Sequence, residues 1–334
     1  MEKIPANSAG PWQRQRRMRL LLAFAYPDRI GQRRSSGSFL LSSGRGADFM
    51  VKQPLSNSSY LTAAELDDRG SQSRIFLASP VDEAELKKYL QERIREERLV
   101  EWDRTTQSVR AVKRTWLGAL VLEEMPLHQM TPEETQTALL AGVAAEGLAV
   151  LPWTRAARQL QQRLMFMHRF DPSWPDMSDE ALSHTLSEWL GPHIYGLKSR
   201  SDLQKLQMAS LLEGDLSWEQ RRSLEENAPT HLTVPSGSRI AIDYSDPEAP
   251  SLSVRLQELF GLVETPRIMK GRVPVTLYLL SPAQRPVQVT RDLASFWSTA
   301  YFEVKKDLKG RYPKHYWPDD PFAAVPTNRV RPKA

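Results

Sequence analysis

No cysteine occurs among the 334 residues, which removes disulfides, thiolate nucleophiles and Cys-ligated zinc at once. No apolar run approaches the roughly 20 residues needed to cross a bilayer. Leu20–Ala25 is too short for the apolar core of a secretion signal, and no small-residue cleavage site follows it. No GxxxxGK followed by Ser or Thr is present, so the loop whose backbone N–H groups wrap nucleotide phosphates is missing. No GxSxG elbow marks a nucleophile. Of six histidines, only His184 shares a helical face with an acid, Glu188, at i, i+4. Catalytic zinc needs a third ligand, so His184 reads as structural. Asp319-Asp320 stand between prolines, too few oxygens for a hard cation, and read as a turn. Asp179-Glu180 open a helix after Trp174-Pro175-Asp176-Met177-Ser178, where acids suit the helix dipole, whereas the metal-binding acids of nucleotide hydrolases end a buried strand. No catalytic residues and no metal site emerge.

What is present is ordinary globular composition, 40% hydrophobic and 25% charged, in a chain long enough for two or three domains. A cytoplasmic protein without membrane insertion is the expectation. The formal net charge of +5 hides an asymmetry. Residues 1–50 hold nine Lys/Arg against three Asp/Glu, and residues 231–334 hold fifteen against ten. The stretch between is acidic, twenty-one against twenty-seven. Basic ends around an acidic middle suit a polyanion held at two places; solvated faces of Arg-rich helices would give the same counts.

The apolar pattern at Met18, Leu21, Leu22 and Ala25 starts a helix near Gln13 that Pro27 interrupts on the way to Arg34. Phe39–Leu41, Tyr60–Glu65 and Arg74–Ala78 read as strands between Gly/Ser/Asn/Asp clusters. Asp82 with Glu85 predicts a capping box and a charged helix to about Arg98. Strands at Val100–Asp103, Val109–Lys113 and Trp116–Glu123 complete a set of short strands with an inserted helix, which fits an OB-like barrel. Thr131 caps a helix to about Gly147, Thr154 a second to Phe170, and Ser178 a third over Glu180–Leu190. Ser201 or Asp202 starts another to Leu212, and Ser217 with Gln220 forms a capping box. Beyond Leu232 the text is mixed: strands at Ile240–Tyr244, Val273–Leu280 and Val287–Val289, with helices at Ser253–Gly261 and 291–309. Gly310 is expected to end the last helix in a left-handed conformation. Its stripe of Leu293, Phe296, Trp297, Ala300, Tyr301, Val304 and Leu308 reads as core. The fold class is therefore α+β. An OB-like small barrel region is followed by a mostly helical region and a mixed α/β C-terminal domain.

Without catalytic chemistry, binding chemistry remains. Gly44-Arg45-Gly46 lets backbone and guanidinium approach a phosphate, or is a plain strand-to-strand turn. Ser236-Gly237-Ser238-Arg239 forms either an anion-binding nest or a turn into the Ile240 strand. Arg285, before Pro286, is held in a rigid loop for either a ligand or an ion pair. From Arg311 to Pro321, cations interleave with rings, a pattern that suits single-strand stacking and equally a tail packed back over the preceding helix. Arg14, Arg17, Arg33, Arg34, Arg45, Arg239, Arg285, Arg311 and Lys314 are the candidate nucleic-acid contacts.

Seven segments in order add a resemblance: RLLLAFAYPDRIGQRR at Arg19–Arg34, GRGA at Gly44–Ala47, LAVLPW at Leu148–Trp153, WPDMSD at Trp174–Asp179, PSGSRIAIDY at Pro235–Tyr244, VRLQELFGLVETP at Val254–Pro266, and the whole of 281–320. Together they resemble the C-terminal part of the HrpB family, bacterial ATP-dependent RNA helicases of the DEAH-like class. The resemblance implies that residues 1–34 end a helical ratchet-like region. It assigns 35–130 to an OB-like region, 131–230 to a helical region and 231–334 to the family-specific C-terminal domain. Residues 1–13 lie outside it. The motor that would hydrolyse ATP, and bind ATP and Mg, is not in this text, so this chain is expected to carry no cofactor and to be inactive alone. Single-stranded RNA or DNA and the helicase motor domains are the implied partners. A free-standing protein-interaction scaffold or single-strand RNA binder is the alternative.

Overall fold

Strands whose apolar side chains fall on alternate residues close into a barrel in the first half of the chain. The computed structural model describes residues 11–332 apart from 36, 68–71 and 215, with side chains from residue 16. It divides into two compact units, Met1–Ala138 and Leu139–Ala334.

In the first unit, α1 (Pro11–Ala25) precedes β1 (Ile30–Ser35), β2 (Ser38–Leu41), β3 (Gly46–Asp48), β4 (Tyr60–Asp67) and β5 (Ser73–Pro80). The five strands form a closed barrel in the order β1-β2-β3-β5-β4. β3 and β5 pair in parallel, and β4 returns antiparallel to β1. Phe39 and Leu41, Leu61 and Ala63, with Ala47 and Ile75, fill the interior, the two-residue spacing that one face of a strand demands. The first helix stops at Ala25, before Pro27; Pro27–Arg29 is a 3-10 turn, and the strand that carries the chain past Arg34 begins at Ile30.

A second difference lies at 82–98. Helix α2 (Glu83–Tyr89) is only seven residues long, and the Asp82 side chain makes no cap bond. Glu85, which was to complete the box, is buried and paired with Arg16 instead. From Ile94 the chain is extended: β6 (Ile94–Asp103), β7 (Ser108–Leu117) and β8 (Leu120–Leu127) form their own antiparallel sheet and contribute nothing to the barrel. Trp116 is the penultimate residue of β7 rather than the opening of a third strand. The turn to β8 requires Gly118: its φ is +59°, and a Cβ there would stand 2.2 Å from the Ser42 carbonyl oxygen. This sheet covers the barrel's outer side. Leu117, Leu120 and Leu122 meet Ile30 and Tyr60, and Gln32 Nε2 donates to the Val121 carbonyl and to Tyr60 Oη, each at 2.9 Å. Helix α3 (Pro132–Glu146) starts at the expected Thr131 cap, with Thr131 and Glu134 each accepting the other's backbone N–H.

The second unit is helical and then mixed. Thr154 caps α4 (Arg155–Phe170) by accepting from Ala157 N. The two longer helices expected next are each split, into α5 (Asp179–His184) with α6 (Leu186–Trp189), and α7 (Arg200–Leu203) with α8 (Met208–Glu213). Ser217 and Gln220 form their capping box on α9 (Trp218–Asn227). Then come β9 (His231–Thr233), β10 (Arg239–Asp243), β11 (Ser251–Arg255), a small ribbon of β12 (Arg267–Ile268) and β13 (Val273–Pro274), β14 (Thr276–Leu280) and β15 (Pro286–Thr290). The main sheet has the order β15-β14-β11-β10-β9, with β11 and β14 parallel. The helix expected at Ser253–Gly261 is instead the end of β11 and a 3-10 turn, Leu256–Leu259.

The last helix is two, α10 (Leu293–Ser298) and α11 (Tyr301–Arg311). Gly310 lies inside α11 and does not terminate it. The aromatic stripe is core: Phe296, Trp297 and Tyr301 are buried, with Phe260 5.8 Å from the Trp297 ring centre and Tyr301 5.4 Å from it. Trp297 Nε1 donates to the Leu262 carbonyl at 2.8 Å and Tyr301 Oη to the Pro318 carbonyl at 2.8 Å. Phe302, next in sequence, is exposed. Trp297→Ala is expected to destabilise the unit by about 3–5 kcal/mol, as truncation of a buried aromatic does. Lys306→Ala, at an exposed position on α11, should stay within about 0.5 kcal/mol. Chemical denaturation of the two variants checks the contrast.

Candidate nucleic-acid interface

The barrel separates its candidate cations. Arg33 and Arg34 are exposed where β1 leaves for β2, and Arg33 Nη1 donates to the Asn57 carbonyl at 2.7 Å. Arg45 is exposed at the other end of β2, in the turn to β3, where Gly44 takes a φ of +88° and the Arg45 carbonyl accepts from Leu41 N. The Gly44-Arg45-Gly46 segment is thus a strand-to-strand turn that carries an exposed guanidinium. Arg17 is exposed on α1. The Arg14 side chain lies outside the described residues. Sequence reading missed two residues here: Arg74 and Phe76, exposed on β5 on either side of buried Ile75. Their i, i+2 spacing around an apolar residue was the signal available.

In the second unit the sheet brings distant cations together. β10 begins at Arg239 where its antiparallel neighbour β11 ends at Arg255. Arg255 lies opposite Leu280 of β14, and Leu280 opposite Pro286 of β15. Arg239 and Arg285 therefore stand at the same end of the sheet, and both are exposed. Arg285 sits in the β14–β15 turn, held by its N–H to Ser281 Oγ at 3.1 Å after Gln284 at a φ of +60°. The Ser236–Ser238 segment is a turn: Gly237 N donates to the Val234 carbonyl at 2.8 Å. Ser236 Oγ donates at 2.8 Å to Glu258, a buried carboxylate that also accepts from Arg255 Nε at 2.8 Å. An acid rather than an empty nest thus faces that turn.

The aromatic tail folds back. Trp317 is buried and donates to the Tyr312 carbonyl at 2.9 Å; Tyr316 meets Phe260 edge-on at 5.9 Å. Arg311 is exposed and pairs with Asp307 at 3.1 Å, and Lys314 is exposed beyond it. Lys305 pairs with Asp319, while Asp320 caps the next turn by accepting from Phe322 N at 2.9 Å. The rings thus belong to packing and the cations to the surface.

By contrast, the arginines of the β6–β8 sheet are spent on acids. Arg114 pairs with Glu101 and Glu124, and Arg110 reaches both carboxylates at 2.9 Å. Hydrogen bonding to Arg114 holds the Glu124 carboxyl below its ordinary range.

A small closed barrel, an antiparallel sheet and a mixed α/β unit make an α+β protein that exposes cations and has no phosphate loop in its sequence. The comparisons give its family. A model described as the connector region of the ATP-dependent RNA helicase HrpB matches residues 93–127, nearly the span of β6 to β8, and one described as ATP-dependent helicase C-terminal matches 189–321. The ATP-dependent RNA helicase HrpB of Escherichia coli is 42% identical over 316 residues, 93% of this chain and 39% of that relative. A crystal structure of the E. coli DExH-box NTPase HrpB matches with a TM-score of 0.59 at 42% identity, over 93% of this chain and 39% of that one. A structure of the E. coli DEAH/RHA helicase HrpB matches with a TM-score of 0.51 at 39% identity, over 89% and 38%. The chain belongs to the HrpB family and corresponds to its C-terminal region, spanning about two-fifths of the relatives' length.

The tail also carries a titratable contact. His315 Nδ1 lies 3.0 Å from Gln257 Oε1, and burial, then the charge of Arg255, pushes its pKa below the ordinary 6.5. The folded protein therefore binds fewer protons here than the unfolded chain, so this contribution is complete above about 6.5 and is lost as pH falls through the folded value. The melting temperature of the native protein should fall more steeply between about pH 7 and about pH 5 than that of His315→Gln.

Proposed function

We propose that this chain is the nucleic-acid-binding accessory region of an ATP-dependent RNA helicase. In this reading it holds single-stranded RNA or DNA in the cytoplasm while motor domains, with ATP and Mg, supply the work. The observation that carries the proposal is the barrel. Five strands in the order β1-β2-β3-β5-β4, closed between β1 and β4, match what an OB-like module needs, and such modules take oligonucleotides on the strand 2–3 face and the adjoining loops. The β1–β2 end carries Arg33 and Arg34, and the strand leaving the β4–β5 loop carries Arg74 and Phe76. Cations with an exposed ring are the chemistry of sequence-tolerant single-strand binding.

A second reading rests on one observation of its own. Phe76 and Leu77 are 56% and 59% exposed, and Met50 and Val51, just past β3, are 69% and 75% exposed. Asp48 pairs with Arg74 in the parallel ladder, so the two apolar pairs follow that match at the same offsets. A surface of this kind also suits docking of motor domains.

Fluorescence anisotropy with short labelled single strands separates the readings. Phe76→Ala is expected to weaken binding by about 1–3 kcal/mol for one stacked base. Arg34→Ala and Arg45→Ala should weaken all sequences alike and lower the log–log salt slope by about 0.7 per lost phosphate contact. Affinity unchanged in all three variants, with capture of separately produced motor domains lost in Phe76→Asp, would favour docking instead.

Phosphate release tests the missing motor. The purified chain should turn over no ATP, with or without RNA, since it has no phosphate loop. RNA-stimulated turnover that survives repurification contradicts this.

A further inference from the structure

The last described residues return across the sheet end that carries Arg239. Asn328 Nδ2 donates to Ser238 Oγ at 3.4 Å, next to Arg239. Thr327 N donates to the Gln257 carbonyl at 3.0 Å, just beyond the end of β11. Three residues later, the Val330 carbonyl accepts from Tyr316 N at 2.9 Å, and Arg331 Nε donates to the Lys314 carbonyl at 3.2 Å. Residues 327–331 thus form a strap from the β9–β10 turn to the segment after α11. The strap has cations of its own: Arg329 and Arg331 are exposed, and Arg329 is held through its N–H to Thr327 Oγ1 at 3.1 Å. Arg239 and Lys314, 75 positions apart in sequence (314 − 239), are joined by this strap into one run with Arg329 and Arg331.

Two acids of the adjoining segments are already occupied: Glu258 accepts from Ser236 and Arg255, and Asp307 pairs with Arg311. The strap lies outside the residues 189–321 that match the C-terminal family model.

We propose that Arg239, Arg329, Arg331 and Lys314 form a second phosphate-contacting face, on the C-terminal unit, for the backbone of single-stranded nucleic acid. The inference rests on the single-strand reading above and adds a contact site distinct from the barrel. Guanidinium forks pair with phosphate oxygens whatever the base, so the face grips without selecting sequence. Its position depends on the strap, because only the return of residues 327–331 brings Arg329 and Arg331 to the sheet end.

The test uses the full chain and a labelled single-stranded RNA of mixed sequence, titrated at several salt concentrations. Arg329→Ala/Arg331→Ala should keep the native melting temperature, weaken binding at low salt, and lower the log–log slope by about 1.4, about 0.7 per cation. Arg329→Lys/Arg331→Lys should recover most of the slope, which a purely structural role for these side chains would not predict. Arg329→Ala alone leaves the Arg331–Lys314 bond in place, so a slope lowered by about 0.7 in a fully folded protein supports the proposal even if the double variant is loosened. If the native chain binds RNA, and Arg34→Ala or Phe76→Ala weakens it while the strap variants match the native slope, the strap face is wrong and the barrel reading stands. If the native chain binds no single strand, both fall. Binding of phosphatidylserine vesicles, lost in the strap variants while RNA binding is kept, would overturn the proposal in favour of a lipid surface.

Discussion

One buried amide holds the C-terminal unit's surface in place. Gln257 lies in the 3-10 turn after β11 and is almost fully buried. Its Nε2 donates to the Tyr316 carbonyl at 3.1 Å, its Oε1 meets His315 Nδ1 at 3.0 Å, and its own carbonyl accepts from Thr327 N at 3.0 Å. Three polar atoms of one residue thus fix two passes of the tail. The neighbouring Glu258, equally buried, ties Arg255 and the Ser236 turn with its two oxygens. Buried polar groups are costly unless every atom is partnered. This turn therefore specifies a single arrangement of the β9–β10 end and the tail, and every cation proposed there inherits its position from it.

Much of the fold was legible because periodicity was unambiguous where one face is buried. Phe39–Leu41, Tyr60–Glu65 and Arg74–Ala78 lie inside β2, β4 and β5, and caps at Thr131, Thr154 and Ser217 open the helices that were expected of them. Reading failed where a segment's partners lie far away in sequence. Ile94–Arg98 is rich in Arg and Glu, which satisfy one another at helical spacing as readily as across strands. Here they do the latter, Lys113 pairing with Glu96 at 2.8 Å. Leu256, Leu259 and Phe260 fit a helical stripe at i, i+3, i+4, but the pairing of β11 with β14 holds the residues just before them, Ser253–Arg255, in a strand. Glu85 illustrates the same point on a single side chain: a local cap and a buried ion pair with Arg16 competed, and the ion pair prevailed.

The candidate site was legible in residue type and not in grouping. Arg17, Arg33, Arg34, Arg45, Arg239, Arg285, Arg311 and Lys314 are exposed, yet which of them share a face is decided by strand order. Arg239 and Arg285 stand at the same sheet end, two strands apart, because β11 and β14 run parallel across a crossover. Arg33 and Arg45 part because the short strand β2 lies between them. The aromatic tail left two readings open in sequence because rings that stack on bases and rings that pack on a helix have the same composition. The Trp317 indole bond to the Tyr312 carbonyl and the contact of Tyr316 with Phe260 assign these two rings to packing.

The distribution of acids explains where a polyanion can act on such a chain. A phosphate gains most from a cation that has no carboxylate to give up, since displacing a bidentate acid forfeits a charge-assisted bond of similar strength. The connector sheet fails that condition. Arg110 and Arg114 are each shared between Glu101 and Glu124, and the lowered pKa of Glu124 records how firmly its charge is held. The acids of this sheet thus neutralise Arg110 and Arg114. The strap end of the second unit differs, because its buried acid, Glu258, has both oxygens turned inward to Ser236 and Arg255. Internal pairing there consumes one cation and leaves Arg239 and the strap arginines on the surface. The basic excess seen in the terminal regions therefore becomes an accessible field only where the fold has already given the acids other partners.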